Sequence, residues 1–264
     1  MVKNILIINI GIHIVGYLLN MDFSKIFGVH YVFSEDFYVF QYLTYMWLHA
    51  NKWHLFSNMF GLFIFGPLLE SVWGAKRFLI YYLITGVGAG LLYAGVDTFE
   101  KNSIKNKAEI YASNPNPDDF NIFIVNTKAF NFTIGFEGER MTLSEVSDKY
   151  YDEPNNVSLS DATVSWVFQI YKAFTNSNMV GASGALYGIL IAFGMLFPER
   201  ELLLLLPPIP INAKYLVFFY GAISVYQQIN QAAGDNVAHL AHLGGMLIGF
   251  LVLKYWQSNR GSFY

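Results

Sequence analysis

The chain has 264 residues, of which 54% are apolar and only 13% charged, whereas a soluble globular domain carries about 25% charged residues. A mean hydropathy of +0.36 excludes a soluble fold with evenly spread polar residues, and the net charge of -3 shows no sign of the basic surface that nucleic-acid binding needs. Cysteine is absent, which excludes disulfide frameworks and thiolate metal sites.

Six apolar runs approach the roughly 20 helical residues that cross a hydrocarbon core of about 30 Å: 4–19, 53–69, 78–96, 179–196, 215–229 and 237–256. They predict an all-α polytopic membrane protein with six transmembrane helices. The first run follows Lys3 like a signal peptide, but no small-residue cleavage site comes after it, so an uncleaved span is expected. Residues 21–51 are dense in aromatics yet interrupted by Asp22, Lys25, Glu35 and Asp36. That composition suits a loop structure lying in the outer interface. Around the start of the second run the sequence reads His49-Ala-Asn-Lys-Trp-His54-Leu-Phe-Ser-Asn58, where the four-residue step puts His54 and Asn58 on one helix face.

After the third run, residues 98–161 resemble a soluble protein. Asn-Pro-Asn-Pro-Asp-Asp and Asp-Glu-Pro-Asn-Asn punctuate them, and a structureless loop of this length is unusual. Residues 121–127 and 129–136 are rich in β-branched and aromatic side chains and predict two strands. Thr142 with Glu145, and Ser158 with Asp161, have capping-box spacing, and a helix over 160–174 is expected to lead into the fourth span. The reading is an extramembrane insertion of α+β character, with a disordered insertion as the alternative. The chain then divides into 1–97 (three helices and the interfacial loop), 98–161 (insertion) and 162–264 (three helices).

The fourth run begins Gly181-Ala-Ser183-Gly184-Ala-Leu-Tyr187-Gly188, and the sixth contains His239-Leu-Ala-His242-Leu-Gly-Gly245-Met-Leu-Ile-Gly249. Ser183, Gly184, Tyr187 and Gly188 share one face, and His242, Gly245 and Gly249 share another. Small residues at such steps let membrane helices approach closely. Close approach is what a hydroxyl and an imidazole need for proton transfer. Helix packing alone also explains the glycines, but it has no use for buried imidazoles. A metal site built from His49, His54, His239 and His242 is a further alternative. It lacks acidic partners inside the spans, and none of its histidines has the four-residue pairing of a zinc motif, so no metal or cofactor is expected.

Orientation follows the positive-inside rule. A cytoplasmic N-terminus collects Lys3, Lys76, Arg77, Arg200, Lys214, Lys254 and Arg260 on the inside and leaves only Lys25 and Lys52 in the short outer segments. The C-terminus is then cytoplasmic too, and the 98–161 insertion lies outside.

In order and in topology, His54-x-x-x-Asn58, Gly-x-Ser183-Gly and Ala-His242-x-x-Gly245-x-x-x-Gly249 resemble the rhomboid intramembrane proteases, across all six spans and excluding the insertion. The resemblance implies a Ser-His dyad without an acidic third member: Ser183 as nucleophile, His242 as general base, and Tyr187 stacked on the imidazole as its orienter. It implies an oxyanion site formed by His54, Asn58 and the backbone N–H of Ser183. His49 matches an additional family histidine of structural role. Glu70 matches a family carboxylate at the inner end of the second span, although a plain interface anchor explains it equally. Phe218 and Phe219 of the fifth span fall where the family has its lateral gate, and residues 230–236 where it has a cap over the site. The implied partners are transmembrane protein substrates and the lipid bilayer. Family frequency points to a bacterial inner membrane.

Two features depart from the family. Trp47 has no arginine beside it where many relatives carry a Trp-Arg pair, and most relatives join the third and fourth spans by a short loop. The insertion is expected above the active site, filtering or recruiting substrates. A six-helix transporter or channel competes as a reading, but no inverted repeat relates the two halves. A non-proteolytic relative that binds membrane proteins also competes, although such proteins usually lack the serine or the histidine.

Overall fold

The computed structural model describes residues 1–203, 209–230 and 238–258. In chain order, α1 (Val2–Leu19) is followed by the short α2 (Ser24–Phe27) and α3 (Gln41–Thr44), the long α4 (Lys52–Trp73) and α5 (Ala75–Ser113). Next come α6 (Pro117–Asn126), β1 (Thr133–Phe136), β2 (Glu139–Thr142), α7 (Leu143–Asp152) and α8 (Val157–Thr175). The chain continues through α9 (Ser183–Leu196), β3 (Glu201–Leu203), β4 (Pro210–Asn212), α10 (Ala213–Ile229) and α11 (His239–Ser258). The six expected spans therefore correspond to α1, α4, α5, α9, α10 and α11. Of these, α1, α4 and α5 are long and apolar enough to cross a membrane by length and composition, while α9 is a shorter apolar helix.

Two compact units form. One contains Met1–Gly95 and Asn178–Asn230 together with α11; the other is Val96–Ser177. In the first, α9 packs on α11, α4 and α10, and α1 packs on α4. Its core is large and apolar, with Leu62, Leu69, Phe78, Tyr81, Ile189 and Phe193 buried. Its outside is apolar as well: Ile14 and Leu18 of α1, Phe63 of α4 and Phe218 of α10 are exposed. A surface of that kind suits hydrocarbon, because large exposed apolar patches are avoided in water.

Small residues set the helix spacing. A Cβ on Gly245 would overlap the carbonyl oxygen of Gly184 and lie 2.8 Å from its carbonyl carbon, and one on Gly249 would lie 2.9 Å from the Gly188 Cα. The backbones of α9 and α11 thus touch, as expected from the glycine spacing. Gly188 in turn faces Thr85 of α5, whose Cβ is 2.6 Å from the added atom.

The loop between α1 and α4 is ordered around a buried amide. Gln41 donates to the carbonyls of Ile26 (3.0 Å) and Asp36 (2.7 Å) and accepts from the His30 N–H (3.3 Å). These bonds satisfy backbone groups that neither helix nor sheet pairs.

In the second unit, Ala108 and Tyr111 from the end of α5 join Phe120, Phe123 and Ile124 of α6, Leu143, Val146 and Tyr150 of α7, and Trp166, Val167 and Ile170 of α8 in a core. Buried Tyr111 and Thr163 share a 2.6 Å hydrogen bond inside it. The sequence reading needs correction here. Residues 121–127 are not a strand but mostly the helix α6. Asn116 caps this helix by accepting from the Asp119 N–H, Pro117 opens it, and Asp118 and Asp119 sit in its first turn. Capping, the fixed φ of proline and the helix dipole together outweigh the β-branched residues. Strand β1 is confined to Thr133–Phe136 and pairs antiparallel with β2. The Thr142–Glu145 capping box is present, whereas Ser158 lies inside α8, whose cap is Asn156 accepting from the Leu159 N–H.

Candidate active site

Asn51 fixes where α4 begins, because its side chain accepts the His54 N–H at 2.9 Å. His54 therefore stands in the first turn. Its Nδ1 faces the Ala50 N–H at 3.4 Å. An Nδ1 that accepts leaves the ring proton on Nε2. One turn on, buried Asn58 donates from Nδ2 to the His54 carbonyl at 2.8 Å. An amide nitrogen has two protons, so one is left to donate elsewhere.

The segment leading to Ser183 is pinned to the loop structure. Val29 and Met179 exchange backbone hydrogen bonds of 2.9 Å, and the Gly181 N–H reaches the Tyr45 carbonyl at 3.0 Å. Gly181 has φ +135, a conformation that side chains avoid. A Cβ there would also lie 2.7 Å from His54 Nε2 and 3.6 Å from Ser183 Oγ. Those two groups therefore border one small space. Ser183 is the first residue of α9, and the N-cap, Ala182, provides no capping side chain. In contrast with the starts of α4, α6, α7 and α8, the first-turn N–H groups here are left without a side-chain acceptor.

From α11, His242 places Nε2 2.8 Å from Ser183 Oγ. The Tyr187 ring lies parallel to the imidazole, with centroids 4.2 Å apart and planes at 5°. Among the described residues, Nδ1 of His242 has no hydrogen-bond partner. Stacking and not a carboxylate therefore holds this ring among the described residues. The arrangement can activate a hydroxyl, receive its proton on Nε2 and present donors nearby to a developing negative oxygen.

Ser183, His242, Tyr187, His54 and Asn58 are thus brought into one region, with the glycines Gly181, Gly184, Gly188, Gly245 and Gly249 permitting the approach. His49 lies next to it. It is buried, with its ring 5.1 Å from that of His54 at 76°, and neither ring nitrogen has a partner among the described residues. Glu70 is not part of the site. It sits sixteen residues beyond His54 on α4, about 24 Å away along the axis, and binds the amino group of Met1 and the Val2 N–H. Phe218 and Phe219 are exposed on α10 and pack against each other with centroids 5.9 Å apart. The expected cap at 230–236 lies, apart from Asn230, outside the described residues, as does Arg260. Among the described residues no cluster of histidine and acidic side chains could hold a metal. A contact that the sequence did not suggest is that between the hydroxyls of Ser224 and Tyr187, 3.3 Å apart.

An apolar bundle of this kind defines a polytopic integral membrane protein. The Rhomboid domain matches residues 36–104 and 157–257, more than half of the chain, and the chain belongs to the rhomboid family. Over 88 residues it is 36% identical to Rhomboid-like protein 11, chloroplastic, of Arabidopsis thaliana, covering 33% of this chain and 30% of that protein. RHOMBOID-like protein 6, mitochondrial, of the same plant is 48% identical over 52 residues, 20% of this chain and 17% of that one. RHOMBOID-like protein 2 is 44% identical over 50 residues, 19% and 16% of the two chains. The chain thus spans less than a third of the length of these curated relatives. No solved structure matches it. Two of the relatives are named for chloroplast and mitochondrion, so they lend no support to the expected bacterial membrane.

Proposed function

We propose that the chain is an intramembrane serine endopeptidase that cleaves transmembrane segments of membrane proteins through an acyl-enzyme. The observation that carries this reading is the 2.8 Å contact between Ser183 Oγ and His242 Nε2 beneath the stacked ring of Tyr187. Ser183 attacks the scissile carbonyl as His242 takes its proton. The tetrahedral oxyanion is met by His54 Nε2–H, by the second amide proton of Asn58 and by the uncapped N–H groups that open α9. His242 then protonates the leaving amine, and water hydrolyses the ester by the same route.

The length of α9 supports a reaction below the membrane surface. Its 14 residues span about 21 Å, less than a hydrocarbon core of about 30 Å. With the inner end of α9 at the cytoplasmic interface, Ser183 stands recessed from the outer one. In this proposal both termini are cytoplasmic, and substrate helices enter from the bilayer past α10 and the exposed Phe218 and Phe219.

The test is to incubate the purified protein with a transmembrane reporter alongside Ser183→Ala and His242→Ala. Wild type is expected to release product and to be labelled at Ser183 by a serine-reactive phosphonate, and each variant to lose about 10⁴-fold or more in turnover. Equal product from all three, or no labelling of wild type, overturns the proposal.

A further inference from the structure

Tyr187 needs an anchor of its own. Ring stacking is an individually weak contact that supplies no hydrogen bond, yet the proposed general base has no partner on Nδ1 among the described residues and relies on that ring for its orientation. The tyrosine hydroxyl meets Ser224, a fully buried residue of α10. Ser224 is itself held, since its Oγ lies 2.9 Å from the Tyr220 carbonyl one turn earlier. Oγ also donates to the Tyr187 hydroxyl at 3.3 Å, so its single proton is shared between the Tyr220 carbonyl and the phenol oxygen. The edge of the Tyr220 ring also meets the Tyr187 ring, with centroids 6.2 Å apart at 90°. Tyr187 is thus fixed at its tip by one α10 residue and at its side by another.

Resting on the protease reading above, we infer that Ser224 is a positioning residue that ties the alignment of His242 to the place of α10. The chain of contact runs Ser224, Tyr187, His242, Ser183, from the helix proposed to admit substrate to the nucleophile. While α10 is closed, the phenol is tethered and the imidazole is held over Ser183. When α10 moves outward, the bond between Ser224 and Tyr187 parts. Ring position, and with it the readiness of the base, then depends on α10 closing again around a substrate.

The experiment uses full-length protein in detergent and compares Ser224→Ala, Ser224→Thr, Tyr187→Phe and the double variant Ser224→Ala/Tyr187→Phe. The rate at which a small phosphonate labels Ser183 is measured against pH, together with thermal unfolding. A small probe does not require a substrate helix to pass α10, so the labelling rate reports alignment of the base. Ser224→Ala and Tyr187→Phe are each expected to slow labelling about two- to tenfold, the worth of one hydrogen bond, and to displace the pH profile in the same direction. Ser224→Thr, which keeps the hydroxyl, should restore the wild-type rate, and the double variant should be no slower than either single one.

Labelling of Ser224→Ala at the wild-type rate and pH profile, or losses that multiply in the double variant, overturns the inference while leaving the protease reading intact. If wild type is not labelled at all, that reading fails. The unfolding cycle still judges the tether in that case: additive shifts in midpoint refute it, and non-additive shifts sustain it.

Discussion

Asn58 is nearly fully buried, at 3% exposure, and one of its amide protons already goes to the His54 carbonyl. The second proton on its Nδ2 is the one that can donate to an oxyanion, whereas Oδ1, without a partner among the described residues, can only accept. Asn58→Ala is therefore expected to behave unlike a dyad variant. Removing one oxyanion donor should lower kcat by about 10²-fold, while phosphonate labelling of Ser183 survives because nucleophile and base are untouched. A titration of labelled enzyme beside steady-state cleavage measures both. Complete loss of labelling would instead make Asn58 a structural support for His54.

At the level of elements, contact between α9 and α11 sets how close hydroxyl and imidazole come. At Gly245 an added methyl group meets backbone and not a movable side chain. Gly245→Ala should cost about 1–3 kcal/mol or more as overpacking and should separate Ser183 from His242. The expected result is a lower unfolding midpoint with a larger proportional loss of labelling; unchanged labelling would show that the helices yield elsewhere. This pairing was legible in the sequence because four-residue glycine spacing and membrane-length runs are direct consequences of helix geometry and bilayer thickness. The motif residues on α4, α9 and α11 could be placed for the same reason. The Ser224–Tyr187 contact was not legible, since a serine in an apolar helix satisfies itself on the preceding turn as often as it reaches a neighbour. Residues 121–127 were misread because β-branched composition was weighed above Asn116, Pro117 and the two aspartates that start a helix. The continuation of α5 past the membrane run to Ser113 was missed as well. There, i,i+4 ion pairs such as Asp97 with Lys101 favour helix over loop once the apolar stretch has ended.

For the whole molecule, the division into two compact units bears on what the insertion contributes. The expected boundaries, 98–161, would cut through one core: Trp166, Val167 and Ile170 are buried against Phe120, Phe136, Leu143 and their neighbours in the Val96–Ser177 unit. Removing only 98–161 would expose that apolar face of α8 and invite aggregation. We propose instead that Val96–Ser177 is the unit to excise, joining Gly95 to Asn178 by a flexible Gly/Ser linker. The proposed catalytic side chains, their packing glycines, the Val29–Met179 bridge and Ser224 all lie in the other unit, so labelling of Ser183 by a small phosphonate should persist. If the excised unit selects substrates, cleavage of a panel of transmembrane reporters should change in rank order while phosphonate labelling does not. Unchanged rank order would deny it that role. Loss of labelling in a chain that still unfolds cooperatively would show that the unit supports the site itself, through the helix α5 that both units share.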